Sequence, residues 1–160
     1  MQKITTFLWF DTQAEEAANF YVSIFKNSSI GKIARFPEGS PSPKGAITVS
    51  FQLEGQRFVA LNGGPMYKFT PAISLYVDCE SQEEVDALWS KLLSGGGRED
   101  RCGWLVDKYG LSWQVIPRVL IELLTNPDPQ RSSRAMQAML QMSKIDIQKL
   151  QAAASASKQN

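Results

Sequence analysis

Cys102-Gly103-Trp104 is the sharpest chemical signal in the chain. Arg101 and Lys108 flank the thiol, and cationic neighbours favour the nucleophilic thiolate. Such a nucleophile ordinarily borrows a base, and the sequence contains no histidine at all. Cys102 is therefore either a nucleophile without a partner base or a small pocket-lining residue. Asp11, Asp78 and Asp107 offer acid–base groups. Asp11 and Asp78 each fall between a strand-like and a helix-like run, where capping is the simpler role. Trp9, Trp104 and Trp113, with Phe10 beside them, can wall a site for a planar ligand or simply fill a core. Asn62, in Asn62-Gly63-Gly64-Pro65, can donate to and accept from a ligand, while its glycines suit a turn. Cys79, at a strand end, reads as structural.

These residues need a framework, and the composition allows one domain. The chain has 160 residues, 43% of them hydrophobic, enough for a real core. Seventeen Lys and Arg against 16 Asp and Glu leave no basic stripe of the kind that neutralises several phosphates. Met1-Gln2-Lys3-Ile4 opens into a strand-like run without the pattern of a signal peptide. No apolar stretch approaches the roughly 18 residues of a membrane span. Two cysteines make no disulfide framework, so cytoplasm is the expected location.

Lys3–Phe10 reads as a strand, and Ala14–Phe25 as a helix with Ala17, Phe20, Tyr21 and Ile24 on one face. Strands are predicted at Ile30–Phe36, Ala46–Leu53 and Arg57–Leu61, with a proline-rich loop over Pro37–Pro43 and a turn at Glu54-Gly55-Gln56. The order then recurs. Ala72–Val77 is a strand and Gln82–Leu93 a helix facing inward through Val85, Leu88, Trp89 and Leu92. Short strands follow at Gly97–Cys102, Trp104–Asp107 and Ser112–Ile116. Leu8-Trp9-Phe10-Asp11 matches Leu75-Tyr76-Val77-Asp78, and Glu15-Glu16-Ala17 matches Glu83-Glu84-Val85. The expected fold class is α+β: two tandem βαβββ modules, about residues 1–65 and 71–117. Residues 118–160 form a helical extension: Val119–Leu124, a helix opened by Asp128-Pro129 with Ala135, Met136, Met139 and Leu140 inward, and one around Ile145–Leu150. It either covers the chain's own sheet or makes a subunit contact.

The runs Thr5–Asp11 and Glu15–Tyr21 resemble the opening of PhnB-like proteins of the glyoxalase/bleomycin-resistance/dioxygenase (vicinal oxygen chelate) superfamily. Leu61–Pro65, Ile73–Val77, Cys102–Trp104 and Asp107–Pro117 strengthen the resemblance, as do Met136–Leu140 and Lys144–Ile147 in the tail. The nearest subgroup is labelled demethylubiquinone methyltransferase. The resemblance implies modules curling into incomplete barrels and assembling as a homodimer. Metal-using relatives take ligands from the first and last strand of each module. Those places fall here on Thr5 (Thr6 without a loop gap), Val59, Ala72 and Gln114. Val59 and Ala72 cannot coordinate, so no metal is expected. A methyl-donor site is not expected either, because Asp11-Thr12-Gln13-Ala14-Glu15 after the first strand lacks glycine, and Gly95-Gly96-Gly97 follows a helix.

The expectation is a metal-free, cofactor-free small-molecule-binding homodimer, touching neither nucleic acid nor membrane. Its ligand residues would be Trp9, Asn62, Cys102, Trp104, Trp113 and Gln114. The alternatives are an enzyme of lyase, isomerase or methyltransferase type acting on an aromatic or quinone-like substrate, with Cys102 or an aspartate, and a scaffold associating through its tail.

Overall fold

The computed structural model describes residues 3–39 and 46–156. It divides into two compact units, Met1–Phe69 and Thr70–Asn160. The first carries β1 (Thr6–Phe10), α1 (Ala14–Ile24), β2 (Ser29–Arg35), β3 (Ala46–Leu53) and β4 (Gln56–Asn62). Its sheet runs β1-β4-β3-β2, with β1 parallel to β4 and the other pairs antiparallel. Period-two alternation turns Leu8, Phe10, Val49, Phe51, Phe58 and Ala60 to one face. All are buried, as are Ala14, Ala17, Ala18, Tyr21 and Ile24 of the helix that covers them. Small residues on α1 let it lie close to the sheet, where Tyr21 stacks on Phe51 and Phe51 on Phe58. The first strand is shorter than its pattern, starting at Thr6. The proline-rich loop is described only as far as Gly39; the rest of it lies outside the described residues.

The second unit repeats the plan: β5 (Ser74–Cys79), α2 (Gln82–Leu93), β6 (Arg98–Glu99), β7 (Trp104–Val106) and β8 (Ser112–Pro117), in sheet order β5-β8-β7-β6. Again the first and last strands pair in parallel. The expected α2 face, Val85, Leu88, Trp89 and Leu92, is buried. This is the glyoxalase-like α+β arrangement, in two open four-stranded sheets rather than closed barrels.

Neither expected aspartate caps a helix. Ser81 caps α2, accepting from Glu84 N–H, while the Glu84 carboxylate accepts from Glu80 N–H at 2.7 Å. For α1 the cap comes from a distant residue, since Asn62 Oδ1 accepts from Ala14 N–H at 2.8 Å. Asp78 instead pairs with Arg118 at 2.7 Å.

The extension forms α3 (Arg118–Leu124), α4 (Pro129–Met139) and α5 (Ile147–Ser155), and packs on the second unit. Asp128 and Asp146 cap the last two helices. Ile116, Leu120, Leu123, Ala135, Ile145, Leu150 and Ala154 make its core, with Ala138 and Met139 against it. Met136 and Leu140, expected inward, are exposed instead. The helix turns Ala135, Ala138 and Met139 inward, a stripe one residue away from the one the apolar pattern suggested. Gln82 ties the strap before α5 to α2, its amide donating to Ile145 O and accepting from Ile147 N–H. Lys144 reaches Asp86 at 2.7 Å, and Cys102 and Gly103 N–H donate to Met142 and Ser143 carbonyls.

Candidate functional site

Each sheet has one face under its helix and one opposite face that the helix leaves open. On the open face of the second unit, register sets Trp104, Gln114 and Tyr76 in one row across β7, β8 and β5. The next row is Arg98, Val106, Ser112 and Ser74, across β6, β7, β8 and β5. A Gln114 amide N–H donates to Ser74 Oγ at 2.8 Å, which puts both side chains on one side of the sheet. Tyr76 is 49% exposed, and Trp104 and Gln114 are half-buried. Burial, then the charges of Asp78 and Cys79, push the Tyr76 hydroxyl above its ordinary pKa, so it remains a donor at neutral pH. Asp78 and Arg98 stand at the two edges of this face and are matched by Arg118 and Asp100, so the middle of the rows is uncharged but rich in donors and acceptors.

The first unit's open face is chemically different. Phe7 pairs with Val59 and Trp9 with Leu61. The internal repeat equates Phe7 with Ser74, Val59 with Ser112, Trp9 with Tyr76 and Leu61 with Gln114. Three of four positions are apolar in one unit and hydrogen-bonding in the other. Trp9 is engaged by its own loop: Nε1 donates to Gly64 O at 2.9 Å, Tyr67 meets the ring edge-on, and any Cβ on Gly63 would overlap the indole.

The expected site residues therefore scatter. Trp104 and Gln114 share a row; Asn62 serves α1, and Trp9 its glycine loop. Trp113, although adjacent to Gln114, points to the helix side, is 2% exposed, and donates Nε1–H to Asp107 Oδ2 at 2.8 Å. Asp107, offered as an acid–base group, is instead a structural acceptor, since its buried carboxylate also accepts from Tyr109 and Leu111 N–H. Cys102 (φ 59°) and Gly103 (φ 84°) form a left-handed turn whose N–H groups hold the extension strap. Ser74, Tyr76 and Ser112 belong on the face and were not singled out from sequence. Counting in steps of two from Gln114, and equating Trp9 with Tyr76, would have found Ser112 and Tyr76.

Cys79 is fully buried, and desolvation, then Glu84 and Asp78, push its thiol up to about 12. Native protein treated with iodoacetamide at pH 8 should carry the adduct on part-exposed Cys102 and none on Cys79, as read by peptide mass mapping. Equal labelling of both would place Cys79 in an accessible environment and contradict its burial.

The model of the family described as 3-demethylubiquinone-9 3-methyltransferase matches residues 2–116. The chain belongs to this family. A PhnB protein from Bacillus cereus, of known structure, is 44% identical and matches 71% of this chain and 97% of its own, with a TM-score of 0.66. A protein from Pseudomonas aeruginosa is 18% identical over 71% of this chain and 95% of its own, with a TM-score of 0.58, and shares the fold. A glyoxalase/bleomycin resistance protein from Albidiferax ferrireducens is 16% identical over 70% of this chain and 95% of its own, with a TM-score of 0.46. No curated protein matches. The family match ends at Ile116, so the extension and its expected tail resemblance lie outside it.

Neither group implied by the PhnB-like family and its superfamily fits these residues. For a metal, Val59 is the row counterpart of Ser112, not of Gln114, so the carried-over places are not even equivalent in the two units. Thr5 and Ala72 precede β1 and β5. Gln114 brings one neutral oxygen and no charged donor. Among the described residues, no three His, Cys, Asp or Glu come together. For a methyl donor, the start of α1 is closed by Asn62, and Gly97 is packed against Leu93 and Val106 O, where even a methyl group would not fit.

Proposed function

We propose that this protein binds a small, flat, uncharged organic molecule carrying carbonyl or hydroxyl groups, on the open face of its second unit and without a metal. The row Trp104–Gln114–Tyr76 carries the reading. Two aromatic rings flank an amide that can both donate and accept, the pattern of an apolar site with a few polar anchors. Gln114, Ser74 and Tyr76 hydroxyl satisfy polar substituents, while the charges at the edges of the face are already paired, Asp78 with Arg118 and Arg98 with Asp100. Quinones and phenols fit this chemistry, and the family's name is consistent with it. The protein acts as a homodimer in the cytoplasm on this reading. Dimerisation would account for the exposure of Phe7, Met66, Tyr67 and Ile73, and the two free thiols suit a reducing compartment. No helix among the described residues is long and apolar enough to cross a membrane.

The test is a fluorescence titration with uncharged quinones, phenols and aromatic hydrocarbons. Saturable quenching by oxygen-bearing compounds is expected, lost in Trp104→Phe and weakened about tenfold in Gln114→Leu, the worth of one or two hydrogen bonds. Silence across the panel, or binding indifferent to Gln114→Leu, would overturn the assignment.

A further inference from the structure

Ser112 is the residue on this face that the fold does not require to be polar. Its Oγ is the one buried side-chain polar atom without a hydrogen-bond partner among the described residues, and the residue is 1% exposed. A buried hydroxyl without a partner is a cost to the fold, because its lost hydration is not replaced. The sheet would accept an apolar residue there: Val59 holds the same row and side in the first unit, opposite Phe7 as Ser112 is opposite Ser74. Neither neighbour in its row relieves it. Val106 offers no polar side-chain group, and Ser74 Oγ is engaged by Gln114.

Orientation follows from the strand. Trp113 points to the helix side and bonds Asp107, so Ser112 and Gln114 point to the other, where Gln114 meets Ser74. We propose that Ser112 Oγ is a specificity-determining contact of the binding face, held for the carbonyl or hydroxyl oxygen of a bound ligand. This rests on the reading that the second unit's open face binds such a molecule. The oxygen is shielded from water, so a ligand reaches it only as the side chains around it rotate aside. A ligand oxygen at Ser112 and a ring between Trp104 and Tyr76 would lie in adjacent rows, within the reach of one substituted ring.

Ser112→Ala separates this role from a structural one, because the two predict opposite changes in stability. With the unpartnered hydroxyl gone, unliganded protein should melt about 2–4 °C higher. The same variant should bind the carbonyl- or hydroxyl-bearing ligand about tenfold more weakly, and the ring-matched hydrocarbon as well as before. Ser112→Thr, which keeps the hydroxyl, should restore the preference for the oxygenated ligand. A lower melting temperature in Ser112→Ala would make the hydroxyl part of the fold and overturn the proposal. Unchanged preference between the two ligands would overturn it too, while leaving the face itself intact as a binding site. Absence of binding by every compound in unsubstituted protein would remove the reading beneath it, and this inference with it.

Discussion

Asp107→Ala should destabilise the second unit by about 3–5 kcal/mol, the largest effect expected of a single polar substitution in this chain. Three hydrogen bonds converge on this carboxylate: Tyr109 N–H at 2.8 Å and Leu111 N–H at 3.1 Å on Oδ1, and the Trp113 indole at 2.8 Å on Oδ2. Leu111 and Trp113 are 1% and 2% exposed, so water cannot replace the lost acceptor. Each orphaned buried donor costs about 1–3 kcal/mol, more than the bond itself contributed. Asp107→Asn should lose less, about 1–2 kcal/mol, since one amide oxygen can still serve the two backbone donors while its NH2 faces the indole N–H. Urea unfolding followed by tryptophan emission would rank the two. Equal midpoints for Asp107→Ala and the unsubstituted protein would show that the turn closes without its carboxylate.

That carboxylate also marks where sequence reading reached its limit. The turn over Asp107-Lys108-Tyr109-Gly110 is encoded locally, because a glycine four positions into a turn has a local cause. The indole partner at Trp113 is not, because it depends on which side of β8 each residue takes. Adjacent strand residues face opposite ways, so Trp113 and Gln114 could never have lined one face, and this much was legible without coordinates. Choosing the face needs the apolar residues of α2, and choosing the partners needs the register with β5 and β7. The positions of the helices were legible for the same reason the tandem repeat was, because their periodicity is local. The α2 cap nonetheless fell to Ser81, and the α4 stripe left Met136 and Leu140 exposed. Asp128-Pro129 opened α4 where the pattern placed it, while the Asp146 cap of α5 was not read from the sequence. The cap of α1 was illegible, because Asn62 reaches it from the end of β4. The unpartnered state of Ser112 is likewise invisible in a string of letters, being a property of everything around it.

Gly103→Ala tests how the extension is fastened, and Gly110→Ala supplies its control. Both glycines have φ near 85° in the left-handed region, 84° and 88° respectively. Nothing lies within 4 Å of a Cβ built on Gly110, so substitution there pays only for backbone strain, about 1 kcal/mol. A Cβ on Gly103 would stand 2.5 Å from Ile116 Cδ1 and 3.1 Å from both Ile145 Cγ1 and Val115 O. Ile116 and Ile145 belong to the core joining sheet and extension and have little room to yield. Strain plus overpacking should therefore cost about 2–4 kcal/mol. The damage should be local before it is global. Gly103 N–H holds Ser143 O at 2.8 Å and Cys102 N–H holds Met142 O at 2.8 Å, so displacing this turn releases the strap ahead of α5. Limited proteolysis should cut Gly103→Ala between α4 and α5 while Gly110→Ala stays intact there. Because Trp104 follows the turn directly, the first variant should also lose ligand-dependent quenching and the second keep it. Matching proteolysis patterns in the two variants would mean that Gln82 and the Lys144–Asp86 pair hold the strap without the left-handed turn.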